Sequence, residues 1–203
     1  ALSEINSPDK NILTIEDPIE FVHKNQQALV TQREVHKHSH DFRSALKAGM
    51  RQDPDLILVG EMRDQETIEM ALNAAETGVL VFGTLHTNSA SKTMDRIINV
   101  FPSERQENIR GIIANVLKCV VSQQLLRRKK GGRVAAVEVL FCHPGVSALI
   151  RHDKTHQITS AIQTGVGMGM ISMDASLRKL VEQDVITTDA ALEKALDKDE
   201  MRA

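Results

Sequence analysis

Short apolar runs punctuate the first half of the chain, and each ends in a polar or glycine-bearing turn. Ile12-Leu13-Thr14-Ile15 runs into Glu16-Asp17-Pro18-Ile19-Glu20. Pro18 lacks the N–H that a sheet ladder needs, so the strand stops before it. Leu29 to Val35 alternates loosely and predicts a short strand. Leu56-Ile57-Leu58-Val59 is apolar throughout, as a strand covered on both faces of a parallel sheet must be, and Gly60 ends it. Val79-Leu80-Val81-Phe82 predicts another buried strand, which ends at Gly83-Thr84-Leu85-His86.

Between these runs the period turns helical. Phe42, Ala45, Leu46, Gly49 and Met50 share one face of an amphipathic helix that Asp53-Pro54 ends. Ile68, Ala71, Leu72 and Ala75 mark the next helix, closed by Gly78. Ser89 caps a helix running toward Val100. Strand–helix alternation of this kind predicts a doubly wound α/β fold. Beyond Pro102, Ile109, Ile112, Ile113, Val116, Leu117, Val120 and Val121 predict one long helix. Arg127-Arg128-Lys129-Lys130-Gly131-Gly132 predicts a basic hairpin turn leading into a strand from Val134 to Phe141. From Pro144 onward the pattern predicts short helices, one lined by Met173, Leu177, Leu180 and Val181, the last by Leu192, Ala195 and Leu196. The charged end, Asp197 to Ala203, predicts fraying.

Composition narrows the partners. The 203 residues carry 25 Lys plus Arg against 27 Asp plus Glu, a net charge of −2, so no global basic field draws the chain to nucleic acid. With five Phe, no Tyr and no Trp, it lacks the stacking platforms that single strands need. No apolar run approaches the roughly 20 residues of a membrane-spanning helix, and no signal peptide is visible. Cys119 and Cys142 lie far apart and outside any CxxC pair, which argues against a disulfide framework or a Cys-rich zinc site. Ala1 to Asn6 reads as the end of a helix, with no Met before it, so the chain is expected to be the back part of something longer.

The polar clusters Glu16 to Glu20, Gly60-Glu61-Met62-Arg63-Asp64 and Gly83 to Thr87 all sit just past the C-terminal ends of predicted parallel strands. Open α/β sheets bind ligands there. An acid at the end of a wholly apolar strand, as Glu61 is, resembles a Walker B carboxylate able to serve Mg²⁺ and the attacking water. Glu16 is the natural second carboxylate. His86 can donate to a γ-phosphate oxygen. His36, His38 and His40 alternate, but their polar, turn-like setting predicts a solvated loop rather than a metal site. Arg33, Arg63 and Arg96 suit either a neighbouring subunit's nucleotide or local carboxylates, and both readings stand. Gly165 to Gly169 follows no strand, so it is expected to be a linker rather than a phosphate loop.

Arg51-Gln52-Asp53-Pro54 through Leu56-Ile57-Leu58-Val59-Gly60-Glu61-Met62-Arg63-Asp64 resembles the signature of the secretion ATPases of the type II and type IV pilus class. Thr14 to Glu20 resembles that family's Asp box and Thr77 to Thr87 its His box. Thr14 to His23, Gln32-Arg33-Glu34-Val35-His36 and the tail 149–174 are similar to the pilus retraction branch, the PilT-type motors of twitching motility. The resemblance implies a RecA-like P-loop NTPase core over residues 1–143 and a helical C-terminal subdomain over 144–203. It implies an ATP- and Mg²⁺-dependent homo-hexameric motor on the cytoplasmic face of the inner membrane, acting on the pilus through a membrane platform protein. Glu16, Glu61 and His86 would be catalytic, with Glu61 serving the metal. Asp17, Glu20 and Arg63 would line the nucleotide. A pilus-extension or type II secretion ATPase, or a non-catalytic assembly subunit, is the rival reading. No G-x-x-x-x-G-K-[ST] loop occurs in these residues, so this stretch by itself is expected to bind ATP poorly. Val79 stands where the family usually has a histidine, and Gly145 to His152 keeps only the second half of the retraction branch's motif.

Overall fold

The computed structural model describes residues 2–202; Ala1 and Ala203, the outer ends of the expected helix end and frayed tail, lie outside the described residues. The chain divides into two compact units, 1–86 and 87–203.

In the first unit β1 (Asn11–Glu16), β2 (Leu29–Glu34), β3 (Leu56–Val59) and β4 (Leu80–Gly83) form one parallel sheet in the order β2-β1-β3-β4. β1 and β3 lie in the middle, which is why their sequences are apolar on both faces. Alternation along them divides the core in two. Leu13, Ile15, Ile57 and Val59 pack with Ala45 and Leu46 of α2 (Phe42–Gly49) and Ala71 and Ala74 of α3 (Gln65–Glu76). Ile12 and Leu56 pack on the opposite face with Ala28, Leu2 and Ile5, the last two from α1 (Leu2–Ile5). Asp41 and Asp64 cap α2 and α3, accepting hydrogen bonds from Ser44 N and Thr67 N at 2.6 and 2.8 Å. β4 departs from the expectation of a buried strand. It ends the sheet among the described residues, so one flank lacks a covering neighbour, and Leu80 is 39% exposed.

The second unit holds α4 (Ala90–Asn99), α5 (Ser103–Val116), the antiparallel hairpin of β5 (Cys119–Arg127) and β6 (Arg133–Phe141), and five helices. These are α6 (Pro144–Arg151), α7 (Ile158–Thr164), α8 (Met173–Glu182), α9 (Thr188–Lys194) and α10 (Lys198–Arg202). The expected boundary at 143/144 falls inside this unit, between β6 and α6. The long helix expected through Val121 is corrected. α5 ends at Val116, and Val120 and Val121 belong to β5. Their β-branched side chains suit a strand, and Cys119 to Arg127 pairs along its whole length with Arg133 to Phe141, which outweighs a local helical period. Gly131 and Gly132 close the hairpin at φ +85° and +75°, a conformation that side chains with a Cβ rarely adopt. The hairpin's inner face, Leu126 and Ala136, packs on Met173, Leu177, Ile186 and Ala191. Gly165 to Gly169 links α7 to α8 through one short 3₁₀ turn, Val166–Met168. No helix among the described residues is long and apolar enough to cross a membrane.

Candidate functional site

Parallel register brings the three polar clusters to one edge of the first unit's sheet. Glu16 pairs with Glu34 at the end of β1 and β2, Ile15 with Val59, and Val59 with Gly83. The strand ends are then laced together beyond the ladder. Gly60 N donates to Ile15 O at 2.7 Å and Val35 N to Glu16 O at 2.9 Å. Met62 N donates to Thr84 O at 3.0 Å, and Thr84 Oγ1 returns a hydrogen bond to Gly60 O. The approach is close at position 60: a Cβ there would crowd backbone, 3.0 Å from Ile15 O and 3.1 Å from Glu16 Cα.

Glu61, Arg63 and His86 are brought together. Glu61 Oε2 is 2.5 Å from Arg63 Nη2, and Glu61 Oε1 is 3.1 Å from His86 Nε2. The Glu61 side chain is 17% exposed, whereas Arg63 and His86 reach it from the solvent side at 64% and 87%. The Arg63 hydrogen bond holds the Glu61 carboxyl below its ordinary 4.5; the fields of Arg63 and His86 add to this, and partial desolvation opposes it. Arg63 is raised in turn, first by Glu61, and Asp17 adds to the same effect from the neighbouring loop.

Glu16 stands apart from this ion-paired cluster. Its Oε1 accepts from Thr14 Oγ1 at 2.6 Å and from Gln32 Nε2 at 3.1 Å, and Oε2 has no hydrogen bond among the described residues. Two hydrogen bonds thus fix one oxygen of the carboxylate. Glu20 is exposed in the loop toward β2, outside both groups. Glu34 anchors that loop: its Oε2 accepts from Ile19 N at 3.4 Å while its Oε1 pairs with Lys37 at 2.6 Å. Thr14, Gln32 and Glu34 are positioning groups that sequence reasoning missed. The signal was the strand period, which puts Thr14 with Glu16 and Gln32 with Glu34 on shared faces. His36, His38 and His40 lie in or beside a turn where His38 Nδ1 accepts from Glu34 N at 2.9 Å. No group of three or more His, Cys, Asp or Glu among the described residues is arranged to hold a metal ion.

The Glu61 pair has a testable titration. Because its folded value is lowered, its contribution to stability is complete above the ordinary carboxyl value and is lost as pH falls through the folded value. Arg63→Ala is expected to move the Glu61 midpoint upward, read from the carboxyl carbon shift by NMR. An unmoved midpoint would show that the guanidinium is not what holds it down.

Charged carboxylates, a guanidinium and an imidazole at the carboxyl edge of a parallel sheet suit an anionic ligand held with a hard cation. Comparison with known proteins identifies the family. Residues 1–131 match the family model described as type II/IV secretion system protein. The chain is 53% identical over 190 residues to the type IV pilus "retractation" ATPase PilT of Pseudomonas aeruginosa, covering 94% of this chain and 55% of that protein. It is 53% identical over 192 residues to a twitching motility protein of Neisseria gonorrhoeae, covering 94% and 51%. The crystal structure of the pilus retraction motor PilT with bound ADP superposes with a TM-score of 0.91 at 45% identity, covering 98% of this chain and 57% of that one. The chain thus spans about half the length of the curated relatives it matches. Its parallel sheet, its strand-end carboxylates and these matches have one source: the chain belongs to the type II/IV secretion system protein family.

Proposed function

We propose that the chain supplies the catalytic strand edge and helical C-terminal part of an ATP-hydrolysing, hexameric pilus-retraction motor. The observation that carries this reading is the Glu61–Arg63–His86 cluster at the ends of β3 and β4, beside a separately fixed Glu16. Residues 1–143 would belong to the ATPase core and 144–203 to the helical subdomain. The platform protein of the inner membrane would be its partner, from the cytoplasmic side.

Bound Mg²⁺-ATP supplies the γ-phosphoryl group and the cation that offsets its charge. The carboxylates present fit the cation. Mg²⁺ takes hard oxygen donors, keeps several waters, and needs only one or two carboxylates rather than a protein cage. Glu61 would hold the metal's water shell, because Arg63 and His86 already occupy its two oxygens. Glu16, with Oε1 fixed by Thr14 and Gln32, would align the attacking water and accept its proton at Oε2. His86 would report the γ-phosphate, being mostly exposed and tethered through Glu61. Asp17, Glu20 and Arg63 would shape the field around the nucleotide.

The test is phosphate release by the full-length protein with Mg²⁺ supplied or chelated. Turnover that disappears with EDTA and returns with Mg²⁺ is the expected result. A protein that forms hexamers without nucleotide and releases no phosphate is an assembly subunit, and the motor reading is then wrong.

A further inference from the structure

One buried acid takes no part in the site described above. Glu138 of β6 is 2% exposed on the hairpin's inner face, between the apolar Ala136 and Leu140. A leucine or valine would fill that position at lower cost, since burying a carboxylate is expensive unless its oxygens are satisfied. Glu138 is satisfied in a specific way. Its Oε1 accepts from Ala90 N at 2.7 Å, and its Oε2 accepts from Met173 N at 3.3 Å. Ala90 is the first residue of α4 and Met173 the first of α8. Two ten-residue helices therefore direct their positive ends at one carboxylate.

Glu138 takes the first N–H of each helix, which the helix's own cap leaves open. Each helix has its own serine cap: Ser89 Oγ accepts from Lys92 N and Ser172 Oγ from Ala175 N, both at 3.3 Å. What Glu138 adds is a single rigid group shared by both helix starts. The entry to α4 is itself stiff. Thr87 Oγ1 and Thr93 Oγ1 share a hydrogen bond at 2.7 Å, and Thr93 Oγ1 donates to Ser89 O at 2.8 Å. Ala90 lies four positions beyond His86 in the chain. Residues 87–93 thus form one hydrogen-bonded entry to α4, and Glu138 ties its Ala90 to Met173.

We infer that Glu138 is a positioning residue that couples the His86-bearing segment to the start of α8, so that the helical C-terminal part responds to nucleotide. This rests on the reading of His86 as a nucleotide sensor. The two hydrogen bonds to Glu138 supply the link between Ala90 and Met173, and the chain itself joins Ala90 to His86.

The experiment is amide hydrogen exchange of the full-length protein, with ADP, with a non-hydrolysable ATP analogue, and without nucleotide. In the native protein, exchange at 172–176 is expected to change by about fivefold or more on nucleotide binding, together with 84–89. In Glu138→Gln one oxygen becomes an NH₂ that cannot accept, so one helix start is released. The nucleotide-dependent change at 172–176 should vanish there while the change at 84–89 persists. Simple destabilisation would raise exchange with and without nucleotide alike, which separates the two roles. A change at 84–89 with none at 172–176 in the native protein overturns the coupling and needs no variant to do so. Persistence of the 172–176 response in Glu138→Gln overturns it as well. No response at 84–89 overturns the sensor reading of His86, and the coupling with it.

Discussion

Glu61→Gln in the full-length protein is expected to lower ATP turnover by about 10²–10⁴-fold and to leave nucleotide affinity nearly unchanged. Glutamine keeps the shape of the side chain and one accepting oxygen. Its NH₂ then faces either Arg63 or His86, whose nitrogens lie 2.5 and 3.1 Å from the native carboxylate. The lost quantity is the negative charge, which this site keeps present by holding the carboxyl low through Arg63. A charge needed mainly when the γ-phosphoryl group is in transfer contributes to kcat rather than to ground-state binding. Phosphate release and fluorescent-nucleotide titration read the two quantities separately. Turnover within a few-fold of the native rate would remove Glu61 from the chemistry and leave its ion pairs as structural.

Gly60→Val is expected to have the largest effect on stability, a loss of about 1–3 kcal/mol in thermal unfolding of the full-length protein. The first atom added, the Cβ, meets backbone on two sides, at 3.0 Å from Ile15 O and 3.1 Å from Glu16 Cα. Backbone cannot rotate away as a side chain does. β1 and β3 must separate at their ends, which strains the Gly60 N to Ile15 O hydrogen bond of 2.7 Å. The same movement displaces Glu16 and Glu61, so catalysis should fall more than stability alone explains. Gly83 offers the contrast: the three atoms nearest a Cβ there all belong to the Met62 side chain, the first at 2.4 Å, and a methionine side chain can swing aside. Gly83→Ala should therefore cost less than Gly60→Ala, and equal losses would refute the backbone explanation.

The candidate site was legible to the extent that it is written locally. Glu16, Glu61 and His86 stand out as candidates because each follows an apolar run, and a strand's end is visible in sequence as the place where apolar residues stop. Caps such as Asp64 and Ser89 are also local, since their partners, Thr67 N and Lys92 N, lie three residues away. Even the chain's family followed from contiguous motifs.

Contacts between distant segments were not legible. Nothing near Glu61 says that His86 completes its pairing, or that Gln32 rather than an arginine holds Glu16. Those partners are set by the sheet order β2-β1-β3-β4, which places side chains many residues apart at one edge. Val120 and Val121 continued a helical stripe in sequence, yet pairing with Val139 and Leu140 made them strand. Glu138 looked like one polar residue in a strand until two helix starts, 48 and 35 residues away, met its oxygens. The sequence alone determined where most strands and helices form and which polar residues crown them, because propensity and period act over a few neighbours. Only the tertiary structure decided which of those residues touch, because register and packing are settled by the joint burial of segments that no local pattern connects.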